Sequence, residues 1–440
     1  MKIDALVPIA IVIGLGAGLG APAQEQKIQP NQRGQAESML SDVHAALKKN
    51  YYDPAFHGVD VDARYKVYEE RIKKADTLGD AYRVVAAYLS GLDDSHTFFE
   101  PPRRSYIADY GYRMQIIGDA CYITEVRPGS DAAQKLHPGD QVLLLNGYSV
   151  IRKDIWQLDY YLHHIAPKPA TDFTVRSPSG EVRKVQVLTR YTQHKQIKDL
   201  TFDNGDSDFW NLVLDYERER RELSPRFVEQ DDVMFWRLPA FNIEDSAVDR
   251  LIHLARRHKT LVLDLRGNPG GYVDTLARMV GSFFDHDVKI ATRVRRKGEK
   301  QQIAKSRGKD AFTGDLIVLI DSGSASAAEV FARIIQLEHR GTVIGDRSSG
   351  SVMESQFYPF KSGIDIIALY GASITDADVI MADGKSLEKV GVTPDIPLLP
   401  TAAQLAAGHD PVLSRAAELG GLKLNPESAG KFFPFEWPPL

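Results

Sequence analysis

A serine-rich turn lies between a predicted strand and a predicted helix in Asp315–Glu329, DLIVLIDSGSASAAE. Leu316–Ile320 is an apolar run typical of a buried strand, and the helix is expected to begin near Ala325. Such a turn can present a serine hydroxyl where free backbone N–H groups and the positive end of a helix dipole also point. Those features suit acyl transfer, in which negative charge develops on a carbonyl oxygen. Ordinary helix-capping serines would give the same local pattern, so the segment alone leaves both interpretations open.

A second turn, DLRGNPGG at Asp264–Gly271, follows the predicted strand Leu261–Leu265 and precedes the predicted helix Val273–Phe284. It has neither GxGxxG spacing nor a P-loop lysine, which excludes those two nucleotide-binding loops. The adjacent glycines Gly270 and Gly271 would let a substrate approach the backbone closely. Their N–H groups could point at a carbonyl oxygen, although a simple tight turn would have the same sequence.

The elements that would carry these turns alternate as strands and helices from Val233 onward, the order expected of parallel βαβ units. Downstream, the pattern predicts a strand, antiparallel hairpins, a final helix and an extended tail, at Thr342–Ile344, 352–382, Leu405–Leu419 and Phe432–Leu440. Upstream, the spacing of apolar residues predicts helices over Gln35–Asp80 and Leu78–Leu92.

Short strands and turns are predicted for residues 105–190. In order, the predicted elements are a strand at Cys121–Val126, a helix at Asp131–Leu136, a strand at Gln141–Leu145, a hairpin turn at Asn146-Gly147, a helix near Ile155–His164, and strands at Phe173–Ser177 and Val182–Leu188. This order, with the run RPGSDAAQKLHPGDQVLLLNG, resembles a PDZ domain. PDZ domains bind a peptide C-terminus through a glycine-rich loop. The matching segment, Tyr110–Ile116, has one glycine, which argues against C-terminus capture. Binding of internal segments, gating of the active site and a groove that binds nothing are all left open.

The composition is that of a globular protein and argues against several function classes. The 440 residues predict two or three domains, and the net charge of −5 gives no reason to expect a nucleic acid or an anionic membrane as partner. The single cysteine excludes an internal disulfide and a cysteine metal cage. No HExxH motif is present, and the adjacent His163 and His164 do not have helical ligand spacing. We therefore expect neither a metal nor an organic cofactor.

Residues 1–23 are predicted to be an export signal, with Lys2, the apolar run Ala5–Gly20 and the cleavage site Ala21-Pro22-Ala23. We expect a periplasmic or secreted protein without stable membrane insertion; an uncleaved anchor is the alternative. The predicted regions that follow are an N-terminal helical region (24–104), a PDZ-like domain (105–190), a charge-rich connector with a helix at Phe209–Leu223 (191–232), a catalytic core (233–400) and a C-terminal helix and tail (401–440). The oligomeric state is left open.

The two turns, downstream of a PDZ-like module, together resemble the C-terminal processing, or tail-specific, serine peptidases. The resemblance covers roughly Gln35–Pro400. It implies an α/β fold in which a crotonase- or ClpP-like β/α core carries an inserted PDZ-like domain and an N-terminal helical region. In the family's Ser-Ala-Ser-Ala-x-Glu pattern the nucleophile is the serine three residues before the glutamate. The resemblance therefore implies Ser326 as nucleophile, with Glu329 as the marker of the motif.

The chain departs from the commonest form of that family at the position of the general base. Tail-specific members use a lysine six residues after a strand-ending glycine, which corresponds here to Gly345. The lysine position holds Ser351, and the family's glutamine position holds Ser355. A hydroxyl is a poor base near neutral pH, so a Ser/Lys dyad cannot operate in that form.

The chain is instead similar to the tricorn-protease branch of the family at three places, the first of which is the turn that carries Ser326. The pair Ser95-His96 lies where that branch keeps a Ser-His pair, and LEKVGVTPD matches its acid-bearing segment, which puts the acid at Glu388. The resemblance implies His96 as base, because an imidazole with a pKa near ~6.5 can accept the Ser326 proton. Ser95 and Glu388 would position the ring; whether Glu388 acts directly or through Ser95 is left open.

The predicted function is an exported serine peptidase that cleaves polypeptides through an acyl-enzyme on Ser326. Its oxyanion hole would combine the Ala327 N–H with that of Gly270 or Gly271. The loss of the usual lysine suggests an alternative, a catalytically inactive homologue that binds peptides. Hydrolysis of small esters or amides is a third option. Proximity of the Ser326 hydroxyl to the His96 ring would favour the enzyme over the binding protein.

Overall fold

The computed structural model describes residues 27–104, 106–193, 225–362 and 368–438. The predicted export signal and the predicted connector helix at Phe209–Leu223 lie outside the described residues. Within these ranges the fold is a mixed α/β fold.

Helices occur mainly in three regions, before residue 91, between 245 and 337, and after 401. They are α1 (Pro30–Asn50), α2 (Val61–Lys73), α3 (Leu78–Ser90), α4 (Asp131–Lys135), α5 (Ile155–Tyr160, continued as a π-helix at Tyr161–Ile165), α6 (Asp245–Ala255), α7 (Val273–Gly281), α8 (Ala327–Leu337), α9 (Ala402–Ala406), α10 (Pro411–Leu419) and α11 (Pro426–Ala429), with 3₁₀ turns at Phe56–Gly58 and Gly308–Asp310.

The strands form three larger sheets and one pair. They are β1 (Phe98–Glu100), β2 (Tyr106–Asp109), β3 (Tyr112–Ile117), β4 (Ala120–Val126), β5 (Gln141–Leu145), β6 (Tyr148–Ser149), β7 (Ala170–Arg176), β8 (Val182–Leu188), β9 (Arg190–Gln193), β10 (Arg226–Gln230), β11 (Val233–Arg237), β12 (Thr260–Asp264), β13 (Val288–Arg295), β14 (Gly298–Ala304), β15 (Asp315–Ile320), β16 (Thr342–Gly345), β17 (Met353–Ser362), β18 (Ala368–Ile380) and β19 (Ile396–Pro397).

The central sheet has the strand order β10-β11-β12-β15-β16-β19, and all its neighbouring pairs are parallel except β10-β11. Every residue of β12 is buried, as expected of a parallel strand covered on both faces. The neighbouring strands β12 and β15 align Asp264 with Leu319. The glycine turn and the serine turn therefore leave the same edge of the sheet side by side.

The second sheet, β1-β18-β13-β14 with β17 paired to β18, positions the Ser95-His96 loop. β1 begins two residues after His96 and pairs antiparallel with β18, Phe98 lying opposite Ser373. Helices α1 to α3 share a buried cluster with this sheet that includes Phe99 and Tyr370. The N-terminal helices thus pack against the sheet to which the Ser95-His96 loop is attached through β1.

The third sheet, β3-β4-β5-β7-β8 with β6 paired to β5, encloses its own hydrophobic cluster. Asn146 and Gly147 have φ values of 50° and 83°, as the predicted tight hairpin turn requires. The predicted strands Gln141–Leu145 and Val182–Leu188 are confirmed without change of bounds. The only cysteine, Cys121, is buried in this cluster, and burial raises the pKa of its thiol to about 12.

The predicted single helix Leu405–Leu419 is wrong, because the structure breaks it in two. α9 ends at Ala406, Gly408 follows with φ 68°, and Pro411 begins α10. A glycine after a helix end and a proline at a helix start are the usual signals for such a break. None of the helices in the described ranges combines the length and the apolar character that a membrane crossing needs.

Candidate active site

Ser326 holds a backbone conformation that residues with side chains rarely adopt, with φ 53° and ψ −118°. Such strain costs roughly 1–3 kcal/mol and persists only where the surrounding structure enforces it. A strained serine between a strand and a helix is the local geometry of a nucleophile elbow, which exposes the hydroxyl above the sheet. The turn before it is anchored by Ser324, whose Oγ donates to the carbonyl oxygen of Leu265 at 2.8 Å.

The glycine turn packs directly against the serine turn. A Cβ atom on Gly270 would lie 2.6 Å from the Cβ of Ser326 and 3.0 Å from the Ala325 carbonyl oxygen. Asn268 joins the two turns, because its carbonyl oxygen accepts the Ala325 N–H at 2.9 Å while its side-chain oxygen accepts the Gly270 N–H at 2.8 Å. With φ at 101°, position 270 accepts only glycine without displacing the serine.

We expect Gly270→Ala to lower kcat/KM by about 10²-fold, since a shift of the reacting group by about 1 Å can cost that much. Steady-state peptidase kinetics would measure the change. Gly267→Ala is the matched control: Gly267 also has a positive φ, 69°, but its Cβ would meet nothing within 4 Å. Equal losses in both variants would show that the close packing on Ser326 is unimportant.

The loop that carries His96 is organised by Asp94, which is buried. Oδ1 of Asp94 accepts the backbone N–H groups of His96 at 3.0 Å and of Thr97 at 2.7 Å. The sequence motifs did not predict this role for Asp94, although a short acid that accepts N–H groups two and three residues later is a common local pattern. The aspartate therefore binds the loop backbone rather than the imidazole ring.

Glu388, Ser95 and His96 form one hydrogen-bonded series. Ser95 Oγ donates to Glu388 Oε2 at 2.9 Å, and His96 Nδ1 lies 2.8 Å from the same hydroxyl oxygen. A hydroxyl has one proton to donate, so with that proton on the carboxylate Ser95 must accept from Nδ1–H. This network assigns the tautomer with an unprotonated Nε2, the atom that a general base needs. In the structure Glu388 reaches His96 through Ser95.

The carboxylate of Glu388 is fixed by two further donors. Its Oε1 accepts the Ser95 N–H at 2.9 Å, and its Oε2 accepts the Val352 N–H at 2.8 Å. Burial raises the pKa of Glu388, while these hydrogen bonds favour the ionised form and oppose the rise. The carboxylate is thus held in place without a positive partner among its hydrogen-bond donors.

Ser326 and His96 line the same cleft, with a volume of about 330 Å³. Most of its other walls are apolar, supplied by Leu276, Ile290, Val330, Met353 and Val379 among others. Within the described ranges no hydrogen bond joins the Ser326 hydroxyl to the imidazole. Catalytic hydrogen bonds are often long in the absence of substrate and tighten when it binds.

Two backbone N–H groups are available to an oxyanion at this cleft. Among the described residues, neither Ala327 nor Gly271 uses its N–H in a hydrogen bond. The Gly270 N–H, by contrast, is occupied by Asn268. Of the two glycines considered from the sequence, the geometry favours Gly271 as partner of Ala327.

The side chains at the family's lysine and glutamine positions pair with other serine hydroxyls. Ser351 Oγ pairs with Ser349 Oγ at 2.8 Å, and Ser355 Oγ accepts from Ser373 Oγ at 2.9 Å. Lys361, considered from the sequence as a displaced base, is exposed on β17. Among the described residues no lysine lines the cleft.

Burial lowers the pKa of His96 below its ordinary value of 6.5, although Asp94 raises it in part. We therefore expect NMR titration of the imidazole to give a pKa under 6.5, so that the ring is mostly neutral at pH 6.5 and above. The signal would be assigned by its absence from a His96→Gln spectrum. A pKa of 6.5 or more would contradict the buried position. Following the ring directly keeps the ionisation of other buried acids out of the measurement.

Two family models match the chain. Residues 232–398 match Peptidase family S41, and residues 33–89 match the Tricorn protease C1 domain. Similar curated proteins include a carboxy-terminal-processing protease of Bartonella bacilliformis (30% identical over 174 residues), a chloroplastic C-terminal processing peptidase of Tetradesmus obliquus (24% over 383) and a tail-specific protease of Haemophilus influenzae (25% over 337). The alignments cover 39%, 81% and 71% of this chain, and 38%, 75% and 45% of those three proteins respectively.

Among solved structures, mature CPAF superposes with a TM-score of 0.63 at 15% identity, covering 85% of this chain and 94% of CPAF. Mature CPAF complexed with lactacystin gives a TM-score of 0.61 at 15% identity, covering 89% of this chain and 97% of that one. At such identity the likeness concerns the fold alone. It extends over most of both chains.

Proposed function

We propose that this chain, of which residues 232–398 match peptidase family S41, is a serine peptidase that cleaves peptide bonds through an acyl-enzyme on Ser326. One observation carries the proposal: the series Glu388–Ser95–His96 ends at the cleft that contains the strained serine. The substrates would be extended or unfolded polypeptides, as in C-terminal processing. No cofactor takes part.

In the proposed reaction, His96 Nε2 accepts the proton of Ser326 as Oγ attacks the substrate carbonyl carbon. The negative charge that develops on the carbonyl oxygen is stabilised by the N–H groups of Ala327 and Gly271. The imidazolium keeps its Nδ1–H hydrogen-bonded to Ser95 Oγ. The Ser95 hydroxyl in turn donates its proton to the Glu388 carboxylate, whose negative charge favours the imidazolium. The ring then gives the proton to the leaving amine, and water releases the acyl group by the same steps.

We also propose that residues 105–190 are a PDZ-like domain inserted into a crotonase-like chain, and that residues 1–23 direct export. The third sheet touches the segment just before the serine: Gln115 Nε2 donates to Asp321 Oδ2 at 2.6 Å, and Ser322 Oγ donates to the Ile116 carbonyl oxygen at 2.5 Å. A peptide held along β3 would therefore lie near the cleft. This placement supports a role in delivering substrate.

The test is hydrolysis of an unfolded, internally quenched polypeptide by the purified protein. We expect fluorescence to rise with time, a fluorophosphonate to stop it, and a metal chelator to leave it unchanged. Binding of the same polypeptide without any fragment would favour the second candidate, the inactive peptide-binding homologue that the missing lysine suggests. Turnover of esters but not of polypeptides would restrict the activity to small molecules.

A further inference from the structure

The carboxylate of Glu329 lies next to the serine turn, and the residue is fully buried. Its Oε2 accepts the backbone N–H groups of Ser326 at 3.1 Å and Ser351 at 2.9 Å. Its Oε1 accepts the Gly350 N–H at 2.7 Å and the Ser348 hydroxyl at 2.5 Å. A glutamate at the third helical position ordinarily reaches back to one N–H group, that of the capping residue. Four donors on a buried carboxylate exceed what helix capping needs.

The 348–352 loop, to which Glu329 is hydrogen-bonded, also contacts Glu388 and its neighbour in the chain. The Gly350 carbonyl oxygen accepts the N–H of Lys389 at 2.6 Å, and Val352 donates its N–H to Glu388. One carboxylate therefore lies between the nucleophile turn and the segment that carries Glu388. Movement of the carboxylate would change the separation of the two.

The burial of Glu329 is costly. All four of its hydrogen-bond donors are neutral, and burial raises the pKa of Glu329 to about 7 despite them. An apolar residue at this position would avoid the desolvation cost but would leave the N–H groups without an acceptor. The carboxylate accepts hydrogen bonds both from the nucleophile turn, at Ser326, and from the 348–351 loop.

We propose that Glu329 is a positioning residue for the reaction at Ser326. Through the Ser326 N–H it keeps the nucleophile in its strained conformation, and through Gly350 and Ser351 it keeps the nucleophile in register with Glu388. The Ser326 N–H also lies 2.8 Å from the Ser351 carbonyl oxygen, so acceptors from both segments fix its direction. Glu329 does not line the cleft, and its effect on the reaction is indirect. The inference rests on the proposed peptidase function.

Glu329→Gln tests the inference with almost no change of shape. An amide has one acceptor oxygen and an NH₂ group, so two of the four donors would face N–H groups. We expect kcat to fall by about 10²-fold, the typical cost of a misplaced reacting group, while KM changes by less than about threefold. The rate of covalent labelling by a fluorophosphonate should fall with kcat. A variant that is merely less stable would not show a lower kcat with an unchanged KM once the measurement is restricted to folded protein.

Glu338→Gln is the matched control, because it makes the same substitution at the exposed end of the same helix and should leave kcat unchanged. Ser348→Ala removes the hydroxyl donor of Oε1 together with the acceptor of the Val392 N–H, and we expect kcat to fall by about fivefold. If Glu329→Gln does not fold, the serine variant decides, and an unchanged kcat there overturns the inference. So does a Glu329→Gln enzyme with kcat within about threefold of the parent. If the unmodified protein shows neither hydrolysis nor labelling, the proposed function itself is rejected.

Discussion

Ser326→Ala is expected to lower kcat by about 10⁶-fold, the typical cost of removing the nucleophile of a serine peptidase. It should also abolish covalent labelling by a fluorophosphonate. The physical reason is that the other hydroxyls of the turn are already engaged: Ser322 Oγ donates to Ile116 and Ser324 Oγ donates to Leu265. Residual rate would come from substrate binding and the oxyanion donors alone. Labelling would be followed by intact-protein mass spectrometry.

Ser322→Ala is the matched control for this experiment, since it removes a hydroxyl from the same turn without touching the proposed nucleophile. We expect it to be labelled at a rate close to that of the unmodified protein. Persistent labelling of Ser326→Ala would remove Ser326 from the mechanism. Loss of labelling in both variants would point to damage of the turn rather than to chemistry.

His96→Ala is expected to lower kcat almost as far, by about 10⁶-fold, because nucleophile and base act as a unit whose single losses do not add. Among the described residues that line the cleft, His96 is the single histidine and none is a lysine, so its loss leaves no imidazole or amine there to accept the Ser326 proton. The loop itself should stay in place, since Asp94 binds its backbone and not the imidazole. Steady-state kinetics and thermal unfolding would be measured on the same preparation.

His286→Ala provides the comparison for His96→Ala. Its side chain is 62% exposed, and it lies outside the cleft. Normal turnover is expected there. Unchanged turnover in His96→Ala would instead reject histidine as the base and would revive a displaced lysine.

Local patterns predicted the strands and helices that carry the two turns, and motif spacing selected the residues proposed for the site. The start of β8 is read directly from the sequence because the turn residues Ser177-Pro178-Ser179-Gly180 come just before it. The break between α9 and α10 was also present in the sequence, in Gly408 and Pro411. The strand β14, with most of its residues exposed, escaped notice because GEKQQIA lacks an apolar alternation.

The interactions that assemble the site could not be read locally. Ser95 and Glu388 are 293 residues apart in the chain, and the pairing of β1 with β18 helps to bring Ser95 to the site. The same holds for the backbone strain at Ser326, which depends on Gly270 fitting against it. The four hydrogen-bond donors to Glu329 could not be predicted locally either. The motif identified this glutamate but did not indicate what it binds.

Because the thiol of Cys121 is buried, the protein is expected to react little with reagents that label cysteine. A buried cysteine whose ionisation is suppressed reacts slowly with maleimides, and the sequence contains no other. A cysteine introduced at Ser326 would thus be the single accessible attachment point for a fluorophore or spin label. Spectroscopy of that label could report the arrival of a peptide in the cleft without any bond being cut.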